Sequence, residues 1–337
     1  MSESASPLQP PTRGLVLGKF MPPHQGHQWL CDFARAYVDE LAIVVGTMPN
    51  EPIDGGLRHS WMQELFPDCR VLHLHETLPQ LPEEAESVEA FWEIWRTRLQ
   101  ALLPWPVDYV FASEAYGQNL ATELGAEFIP VERQSIPVSG TAIRQDPMRH
   151  WNALPACVRP YYVRRICLFG PESCGKSTLA RQLACHFATV HVPEYAQILL
   201  THQQGELTET DLGRIARGQL AAEAALARQA HRLLFCDTDL LTTVLWSQEL
   251  YGQVMPWIEA KATQQSYDLT LLCAPDVPWE DEVHRLRPHT REAFFERCVQ
   301  ILTEHQRHYT VLHGSWQTRW EQALSAIEAL GSSREDA

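Results

Sequence analysis

Short apolar runs alternate along this chain with longer stretches in which apolar residues recur every three or four positions. That rhythm predicts strands separated by helices. In the N-terminal half, Leu15–Leu17 and Leu41–Val45 predict buried strands, with a helix over Trp29–Val38 between them. A further strand is expected at Val71–Leu74. Over Val88–Leu103 the positions Phe91, Ile94, Trp95 and Leu99 share one helical face. The breaker Pro104-Trp105-Pro106 precedes a strand at Tyr109–Ala112, another follows at Glu127–Val131, and a short helix begins near Ser139. Three prolines within Pro147–Pro160 then interrupt the pattern. Beyond them it restarts, with strands at Ile166–Phe169, Leu233–Cys236, Leu269–Cys273 and Tyr309–Leu312. Helices lie between, including Leu179–Phe187 and an Ala-rich one over Leu212–Leu233. Strands alternating with helices imply two α/β domains, each with a mostly parallel sheet. The expected division is a disordered lead-in at 1–13, a first domain at 14–150, a linker at 151–163, a second domain at 164–332 and a tail at 333–337.

Composition narrows the setting. Lys and Arg number 27 against 42 Asp and Glu, for a net charge of −15, which argues against a broad nucleic-acid-binding surface. The nine cysteines form no C-x-x-C pair, so neither a disulfide framework nor a zinc module is expected. Reduced thiols in a cytoplasmic chain fit better. No apolar run reaches membrane-spanning length, and the polar, Pro-rich start does not read as a signal peptide.

Two loops carry the chemistry. In the second half, Gly170-Pro171-Glu172-Ser173-Cys174-Gly175-Lys176-Ser177-Thr178 follows a strand and opens a helix, as a phosphate-binding P-loop requires. Gly170 and Gly175 let backbone N–H groups wrap phosphate oxygens. Lys176 would reach the β- and γ-phosphates of ATP, the Ser177 hydroxyl would hold Mg²⁺, and Thr178 completes the loop. In the first half, Gly18-Lys19 and then His24-Gln25-Gly26-His27 end the first strand. Imidazoles there can stabilise charge on a bridging oxygen or on departing pyrophosphate. Gly26 allows close approach to phosphate, and Lys19 is placed for a triphosphate.

The histidine loop resembles the H/T-x-G-H signature of the nucleotidylyltransferase superfamily, which implies a Rossmann-like domain. Val138-Ser139-Gly140-Thr141-Ala142-Ile143-Arg144 is similar to its second signature, I-S-x-T-x-I-R. Ser139 and Thr141 would then donate to phosphate, and Arg144 would hold the β- and γ-phosphates bidentately. Ser139 is equally a good helix N-cap. A nucleotidylyltransferase followed by a P-loop kinase resembles the NadR-type bifunctional proteins over nearly the whole chain from Gly14. Val192-Pro193-Glu194-Tyr195-Ala196 is similar to the family's W-E-Y-G/A-R segment, and Asp237-Thr238-Asp239 with Thr242-Thr243 to its D-T-D-x-x-T-T. Gln197 stands where the family usually has Arg. Pro278-Trp279 opens a lid-like stretch that lacks the usual D-G-x-R spacing, so either Arg285 or Arg287 is the γ-phosphate contact.

The resemblance implies ATP-dependent phosphorylation of ribosylnicotinamide, then adenylyl transfer to nicotinamide mononucleotide, giving NAD and pyrophosphate. In it, Asp237 serves Mg²⁺ and Glu194 engages the acceptor hydroxyl, with Asp239 the competing candidate and a helix cap the plainer reading of either Asp. Tyr195 is either a stacking platform or core. Trp92 or Trp95 would stack on nicotinamide, or simply pack. Arg58 is either a phosphate ligand or a solvated charge. The family's helix-turn-helix reader is not expected here, because too little chain precedes Leu15 for three helices. The expected partners are thus ATP and the nicotinamide compounds, without nucleic acid or membrane. Oligomeric state is left open. A coenzyme A-forming fusion of phosphopantetheine adenylyltransferase and dephospho-coenzyme A kinase would share both loops but not the Glu194 and Asp237 segments. A non-catalytic nucleotide sensor is the remaining alternative.

Overall fold

The computed structural model describes residues 10–132, 136–203, 208–277 and 291–332. The chain separates into two compact units, Met1–Val158 and Arg159–Ala337. In the first unit the elements run β1 (Arg13–Gly18), α1 (Gln25–Tyr37), β2 (Glu40–Thr47), α2 (Gly55–Leu65), β3 (Arg70–His75), α3 (Val88–Leu102), β4 (Tyr109–Ala112), α4 (Tyr116–Leu124), β5 (Glu127–Pro130) and α5 (Gly140–Gln145). The strands form a parallel sheet in the order β3-β2-β1-β4-β5, with Leu15 opposite both Ala42 and Val110. Leu41–Val45 are all buried, as expected of a strand covered on both faces. The chain moves from one side of β1 to the other between β3 and β4. Ligands of open α/β sheets bind at the carboxyl ends beside such a reversal.

The second unit runs α6 (Arg159–Tyr162), β6 (Arg164–Phe169), α7 (Lys176–His186), β7 (His191–Val192), α8 (Tyr195–Gln203), α9 (Glu209–Ala227), β8 (Leu233–Asp237), α10 (Leu240–Tyr251), α11 (Pro256–Gln264), β9 (Leu269–Cys273), α12 (Arg291–Glu304), β10 (Tyr309–Leu312) and α13 (Trp316–Ser332). Its parallel sheet has the order β10-β9-β6-β8-β7, with β6 central. Every residue of β9 is buried, and Ile166–Phe169 of β6 are fully so.

One predicted element is too long. The helix expected over Leu212–Leu233 begins at Glu209, behind a Thr208–Asp211 capping box, and ends at Ala227. The chain then turns through Arg232 in the left-handed region (φ 67°) into β8. No Gly or Pro marks that stop, so the periodicity ran on into the strand. Trp151, inside the expected linker, is fully buried. Among the described residues, no helix is long and apolar enough to cross a membrane.

Candidate active sites

In the first unit, β1 delivers the chain at Gly18, and buried Phe20 (φ 48°) turns the loop across the sheet end. His24 caps α1: its Nδ1 accepts a hydrogen bond from Gly26 N at 3.1 Å. An accepting Nδ1 places the proton of the neutral ring on Nε2. His24 is fully buried, and its ring stacks against His27 at 3.8 Å. A Cβ on Gly26 would lie 3.0 Å from the His24 ring, so a side chain there would displace the imidazole. Gly140 opens α5 against the same loop, where a Cβ would sit 2.5 Å from the Met21 carbonyl oxygen. Arg144 donates to that carbonyl and, at 3.1 Å, to Thr141 Oγ1.

These elements enclose a cavity of about 590 Å³. Gly18, Lys19, Gly26, His27, Ser139, Thr141 and Arg144 line it, as do Trp92 and Trp95. His24 lies behind His27 and is not part of the lining. The Ser139 hydroxyl accepts from Ala142 N at 3.1 Å, so it caps α5 at the cavity rim. Trp95 is pinned by its Nε1 donating to Pro79 O at 3.0 Å, and Trp92 sits edge-on to Phe91.

Arg58 is neither a phosphate ligand nor a solvated charge. It is fully buried, donates to the carbonyls of Lys19, Ile53 and Gly46, and pairs with Glu51. Glu51 went unnoticed in the sequence because its partners come from three separate segments. Its carboxylate accepts from Met48 N at 3.0 Å and pairs with Lys19 Nζ at 3.2 Å. Burial opposes that charge, but Met48, Arg58 and Lys19 together hold the carboxyl below its ordinary range. The Lys19 ammonium is thereby fixed at the cavity edge.

In the second unit, the loop from β6 to α7 adopts left-handed backbone at Ser173 (φ 54°) and Gly175 (φ 85°). A Cβ on Gly175 would lie 2.2 Å from the Trp316 ring, so this position excludes a side chain twice over. Gly170 is equally confined, with a Cβ there 2.6 Å from the Cys273 carbonyl. Buried guanidinium groups hold the loop's outward carbonyls: Arg291 donates to Ser173 O at 3.2 Å and Arg319 to Cys174 O at 3.0 Å. Lys176 folds onto the loop, with Nζ 3.0 Å from Gly170 O and 2.6 Å from Pro171 O. Burial disfavours its charge, yet nearby Cys174, Glu194 and Asp237 outweigh that and raise its pKa.

A cavity of about 890 Å³ adjoins this loop, lined by Gly175, Lys176, Ser177, Thr178, Glu194 and Asp237. Glu194 is titrated up to about 7, first by burial and then by the Asp237 charge, against the pull of Lys176. Asp237 is also raised, chiefly by burial, although Lys176 and a hydrogen bond with Ser177 oppose the shift. Its Oδ1 is buried without a hydrogen-bond partner. An orphaned carboxylate oxygen beside a serine hydroxyl suits Mg²⁺, which takes one or two protein oxygens and fills its shell with phosphate and water. Among the described residues, no cluster of three or more His, Cys, Asp or Glu could hold a metal alone, which that mode does not need.

Gly170, Asp239 and Tyr195 are expected residues that do not line this cavity. Thr238, between the aspartates, has φ 73°, and this turn sends Asp237 toward the cavity and buried Asp239 onto α10. There the Asp239 carboxylate accepts from Thr242 N at 3.1 Å as the helix N-cap. Tyr195 packs on Gly218 of α9, where a Cβ would be 2.3 Å from its ring. Arg285 and Arg287 lie outside the described residues. Several lining residues were not singled out as site residues in the sequence, among them Arg181, Gln197, Trp246 and Trp316. Arg181 follows Ser177 by one helical turn, which is a usable signal; Gln197 was seen only as a departure; Trp246, stacked on Phe294 at 4.5 Å, had none.

The AAA domain family matches residues 165–319. The trifunctional NAD biosynthesis/regulator protein NadR of Salmonella typhimurium strain LT2 is 29% identical over 320 residues, covering 86% of this chain and 76% of its own. The nicotinamide-nucleotide adenylyltransferase of Thermococcus onnurineus strain NA1 is 31% identical over 143 residues, 40% of this chain and 72% of its own. Among solved structures, a NadR protein in complex with NAD and AMP-PNP superposes with a TM-score of 0.77 at 24% identity, over 95% of this chain and 96% of that one, a likeness of fold.

Proposed function

Because the chain belongs to the NadR-type family of nicotinamide-nucleotide adenylyltransferases, we propose that it makes NAD from ribosylnicotinamide in two ATP-dependent steps. The second unit, taken as 164–332, phosphorylates the ribose 5′-hydroxyl. The first, taken as 14–150, transfers adenylyl to the resulting nicotinamide mononucleotide and releases pyrophosphate. The enzyme works in the cytoplasm, with Mg²⁺ accompanying ATP. The observation that carries the reading is that each unit gathers its phosphate-directed side chains around a cavity of its own.

In the kinase unit, Lys176 exchanges the Gly170 and Pro171 carbonyls for the transferring phosphate. Ser177 and Asp237 would hold Mg²⁺, which would supply positive charge to the phosphates. Glu194, with its raised pKa, is suited to take the hydroxyl proton near neutral pH. In the adenylyltransferase unit, Lys19, Thr141 and Arg144 grip the triphosphate. His27 faces the breaking bond, with His24 fixing its ring from behind. Trp92 and Trp95 offer aromatic faces to a cationic pyridinium.

The direct test supplies ribosylnicotinamide, ATP and Mg²⁺ and measures NAD. The proposal expects NAD with nicotinamide mononucleotide as the intermediate. Formation of dephospho-coenzyme A or coenzyme A from phosphopantetheine instead, or ATP binding without turnover, would replace it.

A further inference from the structure

In the second unit the paired strands are all parallel, so the segments leaving their carboxyl ends follow one another in sheet order. From one edge to the other these are Trp316 after β10, Val277 after β9, the phosphate loop after β6, Asp237 at the end of β8 and Glu194 after β7. All of them line the cavity. The groups assigned above to Mg²⁺ and to the acceptor hydroxyl thus follow the strands on one side of the loop. Val277 and Trp316 follow those on the other, and neither has a part in the chemistry described so far.

Trp316 is fixed against the phosphate loop. Ser315 caps the helix it opens: the Ser315 Oγ accepts from Thr318 N at 3.1 Å. Arg319, one turn along, donates to Gly314 O at 3.1 Å, to Ala274 O at 2.8 Å and to Cys174 O of the loop at 3.0 Å, and it pairs with Asp276. Arg319 is 1% exposed, so a single buried guanidinium ties the start of α13 to the loop. The indole lies over Gly175, where a Cβ would be 2.2, 2.9 and 3.1 Å from three carbons of its six-membered ring. Even so, Trp316 is 46% exposed. An indole that packs on the loop, lines the cavity and keeps this much surface open has an apolar face to give to a ligand. Trp246, which also lines the cavity, differs, because its ring is already stacked on Phe294 at 4.5 Å. Trp316 has no ring partner among the described residues.

Phosphoryl transfer places the attacking and leaving oxygens roughly in line, on opposite sides of the phosphorus. With Glu194 and the acceptor toward β7, the leaving nucleotide extends toward β9 and β10. We infer that Trp316 is the stacking platform for the base of the phosphoryl donor, a purine whose flat face covers the open indole. Every base has such a face, so stacking registers that a base is present and not which donors and acceptors it carries. Trp316 therefore favours a purine nucleoside triphosphate over bare polyphosphate without separating adenine from guanine. The Arg319 tie holds the platform at a set distance from the phosphate loop, so base and phosphates are gripped together. The direction of the nucleotide rests on the kinase reading above; the open indole beside the loop is independent of it.

The test follows ADP formation from ribosylnicotinamide and ATP by the full-length chain. Trp316→Ala should raise KM for ATP by roughly 10-fold or more, the scale of one base–aromatic stack, and change kcat little. Trp316→Tyr, which keeps a ring, should recover most of that loss. Inorganic tripolyphosphate has no base and should inhibit the wild type and Trp316→Ala with the same Ki. A loop loosened by loss of the indole would instead weaken tripolyphosphate and ATP together. Unchanged KM for ATP in Trp316→Ala, or tripolyphosphate weakened as much as ATP, overturns the inference. Irradiation with 8-azido-ATP separates the platform from the kinase reading. Label on the peptide that carries Trp316, displaced by excess ATP, is expected. That label in a chain forming no ADP from ribosylnicotinamide keeps the platform and contradicts the kinase assignment. Its absence overturns the platform whatever the turnover.

Discussion

The imidazoles of His24 and His27 stack with their centres 3.8 Å apart, but His27 lines the cavity while His24 is fully buried behind it. The two residues of one sequence signature therefore have different work. His27→Ala removes the cavity-lining imidazole proposed above to act on the reacting phosphate and is expected to lower kcat for adenylyl transfer by roughly 10²-fold or more, with KM little changed. His24→Ala also loses the α1 cap, about 1 kcal/mol, so its activity loss is accompanied by a lower Tm. Steady-state kinetics and thermal melts on both variants check this; a change confined to KM in His27→Ala would reduce that residue to substrate binding.

Glu194 gives the kinase step a pH signature. Its carboxyl is raised to about 7, first by burial, so the proton-accepting carboxylate is populated as pH rises through 7. The kcat for ribosylnicotinamide phosphorylation should climb between about pH 6 and 8 and level off above. Glu194→Gln should depress kcat by roughly 10²- to 10⁴-fold, the range of general-base contributions, and flatten the climb. Wild-type turnover in this variant at saturating substrate would remove Glu194 from the mechanism.

Asp239 and Asp237 are separated by one residue and are expected to behave oppositely. Asn is as good a helix cap as Asp, so Asp239→Asn should retain kinase turnover, whereas Asp239→Ala should cost about 1 kcal/mol of stability. Asp237→Asn should move the Mg²⁺ dependence of phosphorylation to higher concentration. A loss of kcat in Asp239→Asn matching that of Glu194→Gln would return Asp239 to the acceptor site.

These pairs also show where sequence stops being informative. The strands were legible because both sheets are covered on two faces and so read as apolar runs, and the phosphate loop because its glycines are required by a positive φ and by the Trp316 ring. The directions of Asp237 and Asp239 were not, since the left-handed turn at Thr238 breaks the alternation a strand would give. Arg58 has the type of a phosphate ligand, but the carbonyls of Lys19, Gly46 and Ile53 and the Glu51 carboxylate claim it. Trp92 and Trp95 share a helix with core residues, and periodicity does not distinguish a cavity wall from a core.

The central claim, two separate ATP-using centres acting in sequence, is tested most directly by supplying ribosylnicotinamide, ATP and Mg²⁺ to two full-length variants and following both nicotinamide products. Lys176→Ala should form neither product, yet make NAD at near wild-type rate once nicotinamide mononucleotide is added. His27→Ala should accumulate nicotinamide mononucleotide and stall there. Equal loss of both steps in each folded variant, or NAD from ribosylnicotinamide alone in Lys176→Ala, would contradict the account.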